Sequence, residues 1–414
     1  MPHRRAVLFI FVTILIDSIG FGIIIPVMPE LITQLTGESL SQAARYGGWL
    51  LFVYAITQFV CAPAIGNLSD RFGRRPVLLS ALFALGVDYV VMGFAPNLAW
   101  LFVGRFIAGI TGASYSPAYA YIADITPPEK RAQNFGFIGA AFGLGFVLGP
   151  TIGGLLGSLG PRTPFFVAAG LALLNATFGL FALPESLPRE RRRAFEWSRA
   201  NPFGTLMQLR KQPVVLALAG LSFLWLLGHQ VLPSVWAFYT MLRFGWSEAA
   251  VGLSLAAAGV VMAICQGGLT GVLVPKLGGE RRAALVGLTS GAAVYAIYAF
   301  APFGWVLYGG IVLWGLAAMS WPSLNALMSQ QIPANAQGEL QGGLASLSSL
   351  AAILGPPLMT QLFGAFSDTA GAVYFPGAPF FAAALLALAS AIILLRVCGE
   401  HSSSLARPDS SAAQ

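Results

Sequence analysis

Twelve long apolar stretches dominate this chain of 414 residues, and they restrict its fold more than any other feature. About 20 mostly apolar residues are needed for a helix to cross the hydrocarbon core of a bilayer. Backbone groups in that core must be paired within the protein, which favours helices over irregular chain. The stretches are 6–29, 46–66, 77–95, 98–122, 132–158, 163–183, 214–241, 248–274, 282–300, 303–331, 337–366 and 374–397. The sequence therefore predicts an all-α polytopic membrane protein with twelve transmembrane helices.

The composition argues against a soluble enzyme. Hydrophobic residues make up 57% of the chain and charged residues 9%, with a mean hydropathy of +0.74, whereas soluble domains carry about 25% charged residues. The sequence contains no His-Glu-x-x-His run, nucleotide-binding loop or obvious nucleophile–base pair, so we expect no enzymatic activity. Cys61, Cys265 and Cys398 lie in or at the end of apolar stretches, and their odd number argues against a disulfide framework.

Basic residues are sorted between alternate connections. With both termini cytoplasmic, nineteen of the 23 Lys and Arg residues lie in cytoplasmic segments, whereas Arg45, Arg162 and Arg243 lie in outer loops. Arg105 is the one that remains, inside a stretch. Short cytoplasmic loops carry such an excess, which accounts for the net charge of +7 without a nucleic-acid partner. The first stretch is too long for a signal peptide and lacks a following cleavage site, so we expect it to remain as an uncleaved anchor.

A polar, Arg-rich segment divides the twelve stretches into six plus six. The two halves resemble each other weakly, since Gly149-Pro150 in the fifth stretch is matched by Gly355-Pro356 in the eleventh. Parallel six-helix repeats with a central site are typical of a large class of transporters. The predicted parts are an N-terminal six-helix bundle at 1–183, a basic cytoplasmic linker at 184–213, a C-terminal six-helix bundle at 214–398 and a disordered cytoplasmic tail at 399–414.

Three ionisable residues, Asp17, Asp88 and Arg105, fall inside apolar stretches. Each costs about 2.5–3.5 kcal/mol on insertion scales, so a functional role is the default hypothesis. Asp88 and Arg105 lie about eight residues on either side of the turn at Pro96-Asn97, and at about 1.5 Å per residue they share one depth. We interpret all three as proton-coupling groups. A structural ion pair is the alternative for Asp88, and for Asp17 the orientation of a Gly-rich helix is equally open.

Charges and glycines are concentrated in the connection 66–75, Gly-Asn-Leu-Ser-Asp-Arg-Phe-Gly-Arg-Arg. Such a loop is expected to face the cytoplasm, and its glycines permit a tight turn. The connection resembles the signature Gly-x-Leu-x-Asp-Arg-x-Gly-Arg-Arg of the major facilitator superfamily, whose fold is two six-helix pseudo-repeats. The resemblance implies a role in conformational gating for Gly66, Asp70, Arg71, Gly73 and Arg74.

Two further stretches resemble signatures of the same superfamily. Gly145–Gly154 is similar to the antiporter signature Gly-x-x-x-Gly-Pro-x-x-Gly-Gly, which implies exchange and a gating role for Gly149 and Pro150. The plain alternative is close helix packing through small residues. Arg105–Gly112 resembles the fourth-span signature, which is assigned to proton transfer.

Nearly all of the membrane core resembles the tetracycline efflux antiporters more specifically. The carrying stretches include Leu15–Gly22, Asp88-Tyr89, Ile122-Ala123-Asp124, Val235-Trp236 and Leu340-Gln341-Gly342. The resemblance implies a proton-coupled antiporter that exports tetracycline or a similar amphipathic drug by alternating access. Its implied partners are a small-molecule drug, protons and the lipid bilayer. The implied location is a bacterial-type inner membrane, with a multi-pass monomer whose termini are both cytoplasmic.

Two positions depart from that family. Its ninth-span acidic residue corresponds to Gly291 and its eighth-span histidine to Met262, and both serve the metal–tetracycline chelate. The departures leave open the substrate and the proton stoichiometry. No cofactor is expected besides the proton gradient, and a divalent metal would enter only with the substrate. The alternatives are a major facilitator exporter or importer of an unrelated small metabolite, without tetracycline activity, and a membrane-embedded enzyme.

Polar and aromatic residues inside the stretches are candidates for a drug cavity. Such groups suit a large amphipathic ligand, although each also fits ordinary helix packing. For the polar pair His229-Gln230 in the seventh stretch, a helix–helix hydrogen bond is the plainer interpretation. The substrate-binding candidates are Gln58, Tyr115, Tyr119, His229, Gln230, Trp236 and Asn325.

Overall fold

The structure of the chain is a computed structural model that describes residues 2–113, 115–127, 130–196, 213–333, 336–371 and 373–405. Residues 197–212 of the predicted linker and 406–414 of the predicted tail lie outside the described residues. The described helices are α1 (Pro2–Ile23), α2 (Met28–Thr36), α3 (Leu40–Phe72), α4 (Arg74–Gly93), α5 (Leu98–Gly112), α6 (Tyr115–Ile125), α7 (Arg131–Gly157), α8 (Thr163–Ala182), α9 (Pro213–His229), α10 (Val231–Phe244), α11 (Glu248–Ile264), α12 (Thr270–Lys276), α13 (Glu280–Phe300), α14 (Gly304–Ala317), α15 (Ser320–Ser329), α16 (Gln337–Phe366) and α17 (Ala378–Leu405).

Twelve helical segments of the described chain are long and apolar enough to cross a membrane, which confirms the predicted number. They follow the predicted stretches in order. Four of the segments are interrupted: α5 is followed by α6, α9 by α10 and α14 by α15, and a π-helical turn at Cys265–Leu269 joins α11 to α12. Irregular backbone at membrane depth occurs where protein or water, rather than lipid, surrounds it. The four interrupted spans are therefore expected to contact other helices or a water-filled cavity at their breaks, and they are candidates for lining a functional site.

The second span is longer than the sequence predicts. Helix α3 begins at Leu40, after Ser39 accepts a hydrogen bond from the Gln42 N–H (3.4 Å), and it continues to Phe72. The predicted turn at 66–75 is therefore reduced to Gly73, which separates α3 from α4 and has a φ of 104°. Glycine adopts this conformation readily because it has no Cβ.

The last helix also extends beyond its predicted end. Residues 399–405, which the sequence places in a disordered tail, belong to α17. No proline interrupts this segment, so the helix of the twelfth span continues along the chain.

The described chain forms two compact units. The first unit comprises Met1–Pro202, Leu232–Val260 and Ile353–Pro376, and the second comprises Phe203–Val231, Val261–Ala352 and Gly377–Gln414. These units do not coincide with the two predicted halves, because parts of the seventh, eighth and eleventh spans belong to the first unit. The division of the chain at 184–213 therefore stays a prediction.

Within the first unit, α1 and α7 pack backbone to backbone. A Cβ atom at Gly149 would lie 2.7 Å from the carbonyl oxygen of Ile19, and one at Gly145 would press on Ser18. Close-packed interiors do not absorb such overlaps without moving a helix. Pro150 lies inside α7 beside this contact. Close packing is therefore evident here, and the gating interpretation of Gly149 and Pro150 stays a prediction.

Candidate functional site

Three ionisable side chains are buried in the interior of the first unit. Asp88 is 1% exposed, Arg105 2% and Asp17 9%. Neither carboxylate oxygen of Asp88 has a hydrogen-bond partner, and the same holds for Oδ1 of Asp17 and Nε of Arg105. None of the three forms an ion pair with a described residue. An unpaired charge in such surroundings is costly, so a change of proton or partner here involves a large change in free energy.

A small residue on α5 brings Asp88 and Arg105 close together. A Cβ atom at Gly104 would meet the Met92 side chain and lie 3.0 Å from Oδ1 of Asp88. Arg105 is the next residue along α5, and its Nη2 donates to the sulfur of Met92 (3.1 Å). The two ionisable groups therefore lie at one depth, yet they do not form the direct pair that the sequence allows.

The Arg105 guanidinium faces an aromatic ring on α3. Its central carbon lies 6.0 Å from the centre of the Tyr54 ring, within the range of a cation–π contact. The Gln58 amide, one helical turn further on, donates to the Tyr54 hydroxyl (3.2 Å) and to the carbonyl of Gly112 (3.1 Å). Gln58 is thus placed next to the buried charges, although its amide group is already engaged by the protein.

Tyrosine hydroxyls also approach the segment of α1 that carries Asp17. The Tyr115 hydroxyl lies 3.4 Å from Oγ of Ser18, the residue after Asp17. A Cβ atom at Gly20 would lie 2.5 Å from the Tyr89 hydroxyl, so that group rests against α1 one turn away. Two tyrosine hydroxyls therefore lie against the part of α1 that carries Asp17, and such groups suit an amphipathic ligand.

The connection between α3 and α4 holds a dense charge network. Nη1 of Arg74 lies 2.7 Å from Oδ1 of Asp70, and Nε lies 3.3 Å from Oδ2 of Asp124. The same guanidinium donates to the Ser69 hydroxyl. Arg74 is only 9% exposed, and charge-assisted hydrogen bonds of this kind are stronger than neutral ones. The network therefore fastens the end of α3 to α4 and α6.

The segment that follows α8 is part of this network. Oε1 of Glu185 accepts the backbone N–H of Arg74 (2.9 Å), and Oε2 forms an ion pair with Arg192 (3.7 Å). A Cβ atom at Gly73 would collide with the Glu185 carboxylate. The backbone N–H of Arg193 donates to the carbonyl of Asp70 (3.1 Å). The first part of the predicted linker therefore forms hydrogen bonds and packs against both sides of Gly73, the turn with the predicted gating role.

The remaining two gating candidates have simpler surroundings. The Arg71 guanidinium lies 5.1 Å from the centre of the Phe72 ring. A Cβ atom at Gly66 would lie 3.0 Å from Oγ of Ser116, so Gly66 lets α3 approach α6. Gly66 is therefore a packing position in this structure, and its gating role stays a prediction.

In the second unit, an aromatic cluster surrounds the candidate His229. The imidazole lies 6.3 Å from the Trp225 ring and 5.4 Å from the Trp314 ring, nearly parallel to both. Nδ1 lies 3.3 Å from the Tyr295 hydroxyl. Trp225 and His229 share one face of α9 because they are four residues apart. Trp225, Tyr295 and Trp314 are buried, so His229 is the more accessible member of the stack.

Gly291, which the sequence analysis matches to an acidic residue of the resembling family, lies against this stack. A Cβ atom at Gly291 would lie 2.5 and 2.6 Å from two carbons of the Trp225 ring. The indole therefore occupies the space that a side chain at position 291 needs.

Two of the drug-contact candidates are engaged within the protein. Trp236 is buried, and its indole N–H donates to the hydroxyl of Ser254 (2.9 Å). The Asn325 and Gln341 amides bond to each other in both directions, at 2.9 and 3.4 Å. These contacts neither exclude nor establish a contact with a drug.

Two other candidates lie at less enclosed or irregular positions. Tyr119 is 42% exposed, and its ring lies 5.8 Å from that of Phe135. Gln230 forms the break between α9 and α10, where its backbone N–H reaches the carbonyl of Leu227 (3.3 Å). The break places Gln230 at an irregular point of the seventh span.

Sequence reasoning overlooked several residues of these sites. Trp225 precedes His229 by four residues, a spacing that indicates one helix face, and this signal was available. Tyr54 stands in the same relation to Gln58. Glu185 and Tyr295 gave no comparable signal, because only the tertiary fold brings them to their partners.

Comparisons with known proteins agree with this architecture. The family model described as Major Facilitator Superfamily matches residues 10–356. The class C tetracycline resistance protein of Escherichia coli is 40% identical over 393 residues, which are 94% of this chain and 97% of that protein. The class G tetracycline resistance protein of Vibrio anguillarum is 38% identical over 384 residues, 89% of this chain and 92% of that protein.

A solved structure supports the same assignment. The crystal structure of the human organic anion transporter MFSD10 (TETRAN) matches with a TM-score of 0.68 and 27% identity, covering 95% of this chain and 100% of that one. The twelve apolar helices and the buried charges are thus found in a chain whose similar proteins are transporters. The chain therefore belongs to the Major Facilitator Superfamily, and within it to the family of the tetracycline resistance proteins.

Proposed function

We propose that this membrane transport protein exports tetracycline in exchange for protons, by alternating access across a bacterial inner membrane. The similar proteins named above are tetracycline resistance proteins, and they match most of this chain. The observation that carries the proton part of the proposal is Asp88, which is buried with both carboxylate oxygens unpartnered. Neutralisation by a proton relieves the cost of a buried carboxylate, so this group is suited to take up and release a proton in each cycle.

Arg105 provides the second partner for that carboxylate. When Asp88 carries a proton, it is neutral and exerts little attraction on the guanidinium. When the proton leaves, opposite charges at one depth attract strongly in a medium of low dielectric constant. When Asp88 loses its proton and pairs with Arg105 instead, α4 moves relative to α5. Asp17 on α1 supplies a second carboxylate at similar depth. Gln58, Tyr115 and His229 are the proposed drug contacts.

The network at the α3–α4 connection is the proposed gate. Asp70, Arg74, Asp124 and Glu185 hold one arrangement of the first unit, and transport requires that some of these bonds break and form again. Five arginines, Arg71, Arg75, Arg189, Arg191 and Arg193, lie on or beside this connection. By the positive-inside rule this end faces the cytoplasm. An even number of spans then places both termini there, in a chain that we propose to act as a monomer.

The drug does not require a divalent metal in this proposal. Magnesium prefers hard oxygen ligands, and Gly291 supplies none where the resembling family has an acidic residue. The Trp225 ring covers that position instead. Transport of tetracycline without bound magnesium, and of drugs that do not chelate metals, is expected.

The test is drug-driven proton flux in proteoliposomes. Purified protein is reconstituted with an imposed pH gradient, and tetracycline is added with and without magnesium. We expect tetracycline to dissipate the gradient at similar rates in both conditions. Expression in an efflux-deficient bacterium should raise resistance to tetracycline. If tetracycline causes no proton flux in vesicles that respond to another drug of a panel, then that other drug, and not tetracycline, is the substrate.

A further inference from the structure

An apolar cavity that is partly open to its surroundings lies within the first unit, between α1, α3, α5 and α10. Its lining includes Phe21, Leu50 and Phe238. Of its twelve lining residues, only Arg105 and Ser234 have polar side chains. The cavity therefore offers a hydrophobic surface together with one permanent positive charge.

Arg105 is incompletely satisfied in this structure. It is 2% exposed, Nε has no partner, and its observed contacts are the Met92 sulfur and the Tyr54 ring. A guanidinium has five N–H donors, and a thioether is a weak acceptor. Neither Asp17 nor Asp88 forms an ion pair with Arg105. The protein thus leaves a buried cation without an anionic partner at the edge of an apolar space.

The chemistry of the missing partner follows from these surroundings. An isolated buried charge is costly, and a pair with good geometry recovers much of that cost. Arginine binds planar oxyanions with two parallel hydrogen bonds. A small inorganic anion would satisfy the charge but leave the walls around Phe21 and Phe238 without contacts. An aromatic or alicyclic body with an acidic oxygen satisfies both.

We propose that this cavity is a subsite for the anionic part of an amphipathic substrate. Arg105 binds a carboxylate, enolate or phenolate oxygen, while Phe21, Leu50 and Phe238 contact the apolar body. The inference rests on the proposed transport function and deepens it by naming a substrate class, the organic anions and zwitterions with an acidic oxygen on a ring system. Proton release from Asp88 then competes with the substrate for the same guanidinium.

A matched pair of probes tests the subsite by direct binding. 2-Naphthoate and 2-naphthamide have nearly the same shape and differ in charge. Their affinities are measured with the full-length protein in lipid nanodiscs. We expect the carboxylate to bind about tenfold more tightly, the order of magnitude for one charge-assisted hydrogen bond. Arg105→Gln should abolish the preference, Arg105→Lys should retain part of it, and Arg281→Gln, a charge-matched change on the exposed surface, should leave it intact.

A second variant covers the case in which Arg105→Gln does not fold. Ala237→Phe places a ring in the cavity without altering its charge, and it should weaken both probes together. Equal binding of the acid and the amide by the unmodified protein would overturn the proposal. Preference for the acid that survives Arg105→Gln would do the same, and so would competition by chloride as effective as that by naphthoate.

The outcome is separable from that of the proposed function. Tetracycline-driven proton flux is measured on the same preparation. Normal flux with no discrimination between the probes removes the anion subsite and leaves the antiport in place. Discrimination without tetracycline-driven flux keeps the subsite and removes tetracycline as the exchanged drug.

Discussion

Polar chemistry is arranged differently in the interiors of the two units. In the first unit, Asp17, Asp88 and Arg105 are buried and form no ion pair with any residue that the structure describes. In the second unit, the imidazole of His229 lies against two indole rings that also contact each other, with Nδ1 next to the Tyr295 hydroxyl. One region keeps its charges unpaired, and the other packs its titratable ring against aromatic neighbours.

The difference separates energy coupling from recognition of shape. Unpaired charges in a medium of low dielectric constant respond strongly to the gain or loss of a single proton. Stacked rings contribute about 0.5–1.5 kcal/mol per pair beyond their buried area, and they discriminate by flatness and fit. We therefore expect substitutions in the first unit to alter the proton stoichiometry, and substitutions in the second to alter the range of drugs.

The largest effect is expected at Asp88. Asp88→Asn preserves size but replaces the carboxylate by an amide that takes up no proton in the working pH range, and it should therefore abolish drug-driven proton flux. Flux is measured in proteoliposomes, with thermal unfolding in detergent as the check on folding. Asp368→Asn, at an exposed acid, is the matched control. Normal coupled flux in Asp88→Asn would make Asp88 structural and remove the contrast between the units.

A smaller effect is expected at the α3–α4 connection, which includes neither the buried charges of the first unit nor the aromatic stack of the second. Asp70→Asn removes the negative charge that pairs with Arg74. The loss of one charge-assisted hydrogen bond should slow turnover about tenfold. The affinity for drug should change little, because Asp70 contacts no candidate drug-binding residue among its described partners. Turnover and equilibrium binding are measured separately. A large loss of binding in a folded Asp70→Asn protein would count against gating.

Disruption of the aromatic stack in the second unit tests whether that unit determines drug binding and not proton coupling. Trp314→Leu removes a ring that lies parallel to His229 and should weaken drug binding by about 3- to 10-fold, the scale of one lost aromatic pair. The number of protons exchanged per drug should not change. Trp305→Leu alters an exposed tryptophan of the same helix and serves as the control. A changed proton stoichiometry in Trp314→Leu would assign coupling to both units.

The smallest effect is expected at Gly291. Gly291→Asp alone should not create magnesium dependence, because its Cβ would overlap the Trp225 ring. Combined with Trp225→Ala, which vacates that space, it should raise magnesium-dependent tetracycline transport by about two- to threefold, a gain of less than 1 kcal/mol. Transport is compared across a magnesium titration for the single and double variants. An equal gain in the single variant would show that Trp225 does not control this position.

Hydropathy alone predicted the number and order of the spans, because the requirement for an apolar surface acts on each segment locally. The common depth of Asp88 and Arg105 followed from counting residues from one turn. The sequence did not predict that the 66–75 turn is reduced to Gly73. Continuation of a helix through polar residues depends on partners such as Glu185 that are distant in sequence.

The candidate drug contacts illustrate the same limit. Residue type identified His229 as a polar group inside a span, but its orientation depends on Tyr295 and Trp314 from other helices. The filling of the space at Gly291 by Trp225 is likewise a tertiary contact without a local signal. Position along the chain and depth were thus predictable, whereas the identity of the neighbours was not.

The contact between Gly291 and Trp225 also constrains how this transporter can diverge. While Trp225 is present, a side chain at position 291 requires the indole to shift, because the new Cβ would lie 2.5 Å from it. Loss of the indole would clear the space, but that step alone leaves a cavity of the kind that costs about 3–5 kcal/mol in a packed core. Selection by metal-chelating drugs therefore meets an epistatic barrier here. Adaptation of this protein to a new antibiotic should proceed through the first unit or through the helix breaks, and laboratory evolution would reveal that order in its earliest substitutions.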